Sequence, residues 1–216
     1  MRPKIQLALD CLSIEEAIKA CQSGVVDEVD ILECGYCLIN IEGARVVKIF
    51  REIFPDKPLL ADPKIVDASK KIGGALLDGR PDYMTILCNC ERGTIAGVQE
   101  EAAKRGLNPK LQIELYGHWS YDDIPMWKEM GITQLTLQHS GDKPGTWDEE
   151  EIATLTELAK HGIPVAATGA ISINELELFR GIPVSTFIFG RAILNADDPV
   201  QMARDIKAKI AEIWPE

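Results

Sequence analysis

One lysine in this chain is surrounded by carboxylates at regular positions. Asp62, Lys64 and Asp67 form an Asp-x-Lys-x-x-Asp set directly after the apolar run Pro58-Leu59-Leu60-Ala61, and Asp10, Glu33 and Glu114 each close another apolar run. Side chains alternate along a strand, so Asp62 and Lys64, two apart, project to one side and bring a carboxylate and an ammonium together. A solvated charge cluster has the same pattern. At a semi-buried strand end, however, charges are kept in a satisfied ion network or for function, because an unpaired one is costly. With Glu33 and Glu114 converging, function is the expectation. Carboxylate neighbours push a lysine pKa up, which opposes imine chemistry, since an imine needs the neutral amine. An ammonium held charged is instead suited to stabilising an anion.

The thiols support weaker readings. Cys34-Gly35-Tyr36-Cys37 has the spacing of a redox dithiol, but such a pair needs a helix N-terminus and a different fold around it. Adding Cys88 and Cys90 would supply four thiolates for zinc. Small apolar thiols packed near the strand ends are the expectation. Trp119 and Trp127 are expected to pack in or beside a helix, and His118 and His161 to be surface or capping residues.

Holding such groups requires a scaffold, and the apolar periodicity supplies one. Strand-length runs cover 5–10, 28–35, 58–65, 82–90, 110–117, 134–140, 164–170 and 186–191. Amphipathic helical stretches follow them over 13–23, 43–53, 68–78, 93–105, 121–130, 148–161, 174–179 and 199–214. Ser13 with Glu16 reads as a capping box, and Gly131, Gly162 and Gly181 stand where helices should stop. Eight βα units in 216 residues without a linker predict one (β/α)₈ TIM barrel domain over 1–216. An open eight-stranded sheet is the alternative, but the first strand leads into Leu9-Asp10-Cys11-Leu12-Ser13 with no G-x-G-x-x-G. In a barrel the C-terminal strand ends carry function. These ends are Asp10, Glu33, Asp62 with Lys64, Cys88 to Cys90, Glu114, Gln138 with His139, Thr168-Gly169-Ala170, and Gly190-Arg191.

The net charge of -11 excludes a general affinity for nucleic acid or anionic lipid, so an anionic substrate must be caught locally. No apolar stretch reaches the length of a membrane span, and no signal-peptide core follows the N-terminus. A cytoplasmic protein with reduced thiols is expected.

The stretches Leu7-Ala8-Leu9-Asp10, Val29-Asp30-Ile31-Leu32-Glu33-Cys34-Gly35, Leu60-Ala61-Asp62-Pro63-Lys64-Ile65-Val66-Asp67, Gln112-Ile113-Glu114-Leu115-Tyr116-Gly117-His118-Trp119 and Phe187-Ile188-Phe189-Gly190-Arg191 follow one another along the chain. Together they resemble the 3-keto-L-gulonate 6-phosphate decarboxylase group of the orotidine 5′-monophosphate decarboxylase suprafamily, with hexulose-6-phosphate synthase as close sister. The resemblance spans residues 5–214. It implies that Glu33 and Asp62 hold Mg²⁺, and that Lys64 and Asp67 complete the catalytic set. Asp67 would cross into the partner's site of a homodimer, and Asp10 and Glu114 would bind substrate hydroxyls or position Lys64. Thr168, Gly169, Ala170, Gly190 and Arg191 would grip a phosphate.

The implied reaction is decarboxylation of 3-keto-L-gulonate 6-phosphate to L-xylulose 5-phosphate and CO₂ through an enediolate, in ascorbate catabolism. A metal and an adjacent ammonium suit that charge. The alternatives are a hexulose-phosphate aldolase or a catalytically silent sugar-phosphate-binding barrel. Two departures stand out. Strand 6 reads Gln138-His139-Ser140-Gly141 where the group carries His-Arg-x-Arg, which puts Gln138 at the proton-delivery position and turns His139 toward the helices. Ala170 stands where the group has a second glycine.

Overall fold

In a computed structural model describing residues 2–215, eight parallel strands pair in chain order and the eighth closes on the first. They are β1 (Lys4–Leu9), β2 (Ile31–Cys34), β3 (Leu59–Ile65), β4 (Tyr83–Leu87), β5 (Lys110–Leu115), β6 (Gln134–Gln138), β7 (Val165–Thr168) and β8 (Thr186–Phe189). The surrounding helices are α1 (Ile14–Cys21), α2 (Tyr36–Glu42), α3 (Arg45–Ile53), α4 (Ser69–Leu77), α5 (Arg92–Lys104), α6 (Ile124–Glu129), α7 (Glu149–Leu158), α8 (Arg191–Leu194) and α9 (Pro199–Ile213). The (β/α)₈ barrel expected from sequence is therefore the fold, and the β1–β8 pairing excludes the open sheet.

All eight expected strands form, but most stop short of their apolar runs, because the chain turns at the carboxyl ends. After β4, for example, the Cys90 N–H donates to the Leu87 carbonyl and closes a turn through Cys88 and Asn89. Gly131, Gly162 and Gly181 take φ values of +79°, +67° and +84°, the left-handed conformation that ends a helix at little cost for glycine. Ser13 accepts from the Glu16 N–H as expected, whereas the Glu16 carboxylate reaches the Leu12 N–H, so the box is not reciprocal. The expected helix at 174–179 is a 3₁₀ turn, Glu175–Phe179. Helix α2 escaped the periodicity because it begins inside the Cys34-Gly35-Tyr36-Cys37 stretch, which reads as a strand continuation. No helix among the described residues is long and apolar enough to cross a membrane.

Two interiors result. Between sheet and helices lies an apolar ring including Leu32, Phe50, Leu59, Trp127, Phe179 and Phe187. The barrel lumen is different: its side chains include Gln6, Glu33, Asp62, Thr85, Gln112, Glu114, Gln134 and Thr186, with a small apolar cluster of Ala8, Ala166 and Ile188. Glutamines bridge strands here. Gln6 Nε2 donates to Glu33 Oε2 at 2.6 Å, and Gln134 Oε1 accepts from Thr186 Oγ1 at 3.3 Å.

Candidate active site

Lys64 reaches its carboxylates through a break in β3. The β3–β4 register shifts between Ala61 and Ile65, Pro63 has no N–H for the ladder, and Lys64 takes φ +47°. The Lys64 N–H donates to Thr85 Oγ1 (3.0 Å), and that hydroxyl donates to Asp62 Oδ1 (2.5 Å). Strand alternation alone therefore does not bring Asp62 and Lys64 together; a bulge pinned by Thr85 does. Lys64 Nζ then lies 2.8 Å from Asp62 Oδ2 and 3.4 Å from Glu114 Oε2. The Tyr36 ring stands over the ammonium, 5.4 Å from Nζ to centroid, within cation–π range.

The charges do not balance. Glu33, Asp62 and Glu114 are each about 5% exposed, and the one ammonium of Lys64 pairs with Asp62 and Glu114. Burial acts to neutralise Lys64, but Glu114, Asp62 and the bond to Asp62 outweigh it and hold its pKa above the ordinary lysine range. One ammonium cannot compensate three buried carboxylates. Burial, then the repulsion of Asp62 and Asp10, pushes Glu33 well above the usual carboxylate range against the Gln6 bond and Lys64. Burial likewise pushes Glu114 up to about 7 against the attraction of Lys64.

This donor set fits Mg²⁺. Glu33 and Asp62 offer hard oxygen ligands in a pocket short of positive charge, and Mg²⁺ binds through one or two carboxylates with water and substrate oxygens completing its shell. Among the described residues no three His, Cys, Asp or Glu side chains are placed to chelate a metal by themselves. The four-thiolate zinc site is thus not assembled. The redox reading of the thiols fares no better: burial raises the pKa of both Cys34 and Cys37, so neither is primed as a thiolate.

The remaining expected residues divide into those that join this cluster and those that do not. Asp10 does not touch Lys64. Its Oδ1 accepts from the Cys37 N–H at 3.1 Å and caps α2. Gly35 makes room for it, since a Cβ there would sit 2.5 Å from that oxygen. Asp67 is exposed beyond β3 and bonds to no described residue. Gln138 ends β6 half-buried, on the same alternate face as Gln134 and Thr136.

His139 faces the opposite way, as its position predicts. It is 1% exposed, its Nδ1 is 3.0 Å from Glu151 Oε2 on α7, and its Nε2 is 3.3 Å from the Lys143 carbonyl. Beside Thr168, Gly169 and Ala170 turn the chain at φ +82° and +48°. The departure from glycine at 170 thus falls where the backbone is left-handed. Gly190 precedes the single turn of α8, and Arg191 is exposed and forms no ion pair among the described residues.

Trp119 lies edge-on to Tyr121, Trp127 is buried in α6, His118 is exposed, and His161 stacks on Tyr121, as expected of packing and surface residues. Gln6, Tyr36 and Thr85 were missed. For Gln6 a signal existed: a glutamine between Ile5 and Leu7 in an apolar strand must find a buried partner. Tyr36 and Thr85 depend on a helix start and a bulge that carry no such signal.

Known proteins share the sequence pattern and the fold of this chain. The family model described as Orotidine 5′-phosphate decarboxylase / HUMPS family matches residues 3–206. The 3-keto-L-gulonate-6-phosphate decarboxylase UlaD of Escherichia coli is 35% identical over 215 residues, covering 98% of each chain. The crystal structure of the Streptococcus mutans decarboxylase of that name superposes with a TM-score of 0.90 at 33% identity, covering 99% of this chain and 100% of that one. A second structure of it is a complex with D-ribose 5-phosphate. The 3-hexulose-6-phosphate synthase of Salmonella typhimurium superposes with a TM-score of 0.85 at 28% identity, covering 98% and 100%.

Proposed function

The chain belongs to the orotidine 5′-phosphate decarboxylase / HUMPS family and is a carboxy-lyase, and from that premise we propose that it decarboxylates 3-keto-L-gulonate 6-phosphate to L-xylulose 5-phosphate and CO₂. The observation that carries the reading is Lys64, held charged between Asp62 and Glu114 beside the Glu33–Asp62 pair. Loss of CO₂ from a β-keto acid leaves an enediolate, and a preorganised ammonium lowers the barrier by stabilising that charge as it develops. Glu33 and Asp62 would hold Mg²⁺, which when bound would neutralise charge on the substrate oxygens.

Lys64 stays protonated, so it acts as an electrostatic group and not as an imine-forming amine. Glu114 holds the ammonium together with Asp62. Asp10, with one oxygen on the α2 cap, keeps the other for a substrate hydroxyl. Thr168 and the Gly169–Ala170 and Gly190–Arg191 turns would receive the phosphate, with Arg191 as a charge-assisted fork. Gln138 would face the carbon that is reprotonated. An amide orders water there but does not deliver a proton as an imidazole does, so protonation is expected to be slow or loosely stereospecific. Asp67, which bonds to no side chain among the described residues, would complete the partner's site in a homodimer.

A hexulose-phosphate aldolase is the second reading, supported by the likeness to the Salmonella synthase and by the altered end of β6. Assaying one preparation for CO₂ from the keto-gulonate phosphate and formaldehyde from hexulose 6-phosphate, with and without Mg²⁺, separates the two. Mg²⁺-dependent CO₂ release is expected. Formaldehyde alone would favour the aldolase, and phosphate-ligand binding without either product would leave a silent barrel.

A further inference from the structure

We propose that the loop from β6 to α7, residues 139–148, is a strap that shapes the Gly169–Ala170 turn, with Thr146 and Trp147 as positioning residues for a bound phosphate group. The inference rests on the phosphate reading of that turn given above. Two consecutive residues of the strap donate to two consecutive carbonyls of the turn. Trp147 Nε1 donates to the Gly169 carbonyl at 2.7 Å, and Thr146 Oγ1 donates to the Ala170 carbonyl at 3.0 Å.

In a trans peptide the C=O and the following N–H point in opposite directions. Fixing these two carbonyls toward the strap therefore turns the N–H groups of Ala170 and Ile171 away from it. Neither N–H donates to a protein acceptor among the described residues. A pair of oriented, unpaired backbone N–H groups is a ready anion site. Thr146 also supports a residue that is there at a cost, since Ala170 holds φ +48° without the freedom of glycine.

The strap is built to stay in place. At its start, buried His139 contacts Glu151 and the Lys143 carbonyl, and a Cβ on Gly169 would lie 1.9 Å from the His139 carbonyl oxygen, so turn and strap meet backbone to backbone. At its end, Asp148 and Glu151 form a reciprocal capping box on α7, and Lys143 Nζ lies 2.6 Å from Asp148 and 3.0 Å from Glu151. The Trp147 ring packs edge-on against Phe179 at 4.9 Å, and Phe179 against Phe187 of β8. His139, turned away from the mouth, thus roots the strap.

Isothermal titration of ribose 5-phosphate and of inorganic phosphate into the parent, Thr146→Val and Trp147→Phe tests this. Each variant is to be made with and without Ala170→Gly. Each single variant should bind ribose 5-phosphate about threefold to tenfold more weakly, the value of one hydrogen bond. In turnover KM should rise while kcat holds, and Thr146→Val, on an exposed side chain, should melt with the parent. With glycine at 170 the turn no longer depends on Thr146, so the loss from Thr146→Val should shrink. Parent-like binding by both single variants, or a Thr146→Val loss of equal size with alanine or glycine at 170, overturns the strap alone. A parent that binds neither probe overturns the phosphate reading and the strap with it.

Discussion

On the β2 to β5 side of the barrel mouth, Lys64 is gripped by two carboxylates and roofed by a tyrosine ring. On the β6 to β8 side, Arg191 forms no ion pair among the described residues, and the turn at Gly169–Ala170 is bonded through its carbonyls to the loop between β6 and α7. Each side carries a cost. In the first it is electrostatic: three buried carboxylates around one ammonium. In the second it is conformational: an alanine in left-handed backbone. An excess of buried negative charge would be relieved by a cation, and a strained turn by the proposed strap. The two sides should therefore respond to different perturbations.

The largest effect should come from Asp62→Ala, which removes a proposed metal ligand and half the grip on Lys64. Turnover should fall by at least about 10³-fold, while the melting temperature stays near the parent's or rises, because the lumen charges do little for the apolar ring. Near-parent activity would dissolve the contrast, since the charged side would then not be the reacting side. Arg191→Ala should act on the other side alone and raise KM by about tenfold to a hundredfold with a smaller change in kcat. An unchanged KM would move the phosphate elsewhere.

The electrostatic cost can be read from pH. Glu114 titrates near 7 in the folded chain against 4.5 for an unperturbed glutamate, so the folded state binds the extra proton. Its penalty is absent below about 4.5, grows as pH rises toward 7, and is complete above that. In chelator-containing buffer, the melting temperature should fall from pH 5 to pH 8 more for the parent than for Glu114→Gln. Parallel curves would show that the cluster is not under charge strain. The conformational cost predicts the smallest change. Ala170→Gly should stabilise the protein by about 1 kcal/mol, or about 2–4 °C in Tm, with no pH dependence.

The same division explains what the sequence allowed one to read. Glu33, Asp62, Lys64 and Glu114 were legible because ionisable residues at the ends of apolar strands are conspicuous, and the eight βα periods placed those ends together. Their exact assembly was not. The bulge at Pro63–Lys64 and the hydroxyl of Thr85 decide where the ammonium goes, and a threonine within a strand looks like any β-former. On the other side the groups proposed to hold the phosphate are main-chain amides, which every residue possesses. Thr146 and Trp147 therefore looked like loop residues, although Trp147 is almost fully buried. The left-handed turn at Gly169–Ala170 was half visible: the glycine announced it and the alanine concealed it.

The polar lumen also bears on how such a protein can change over time. Gln6, Gln112, Gln134 and Thr136 each leave one buried polar atom without a protein hydrogen-bond partner among the described residues. Collapse during folding must therefore be driven by the outer ring, where Phe50, Trp127 and Phe179 pack between sheet and helices. Substitutions inside the barrel can then retune polarity and charge while the ring maintains the fold. An inheritable scaffold of this kind can exchange one chemistry for another, a strand end at a time, without passing through an unfolded ancestor.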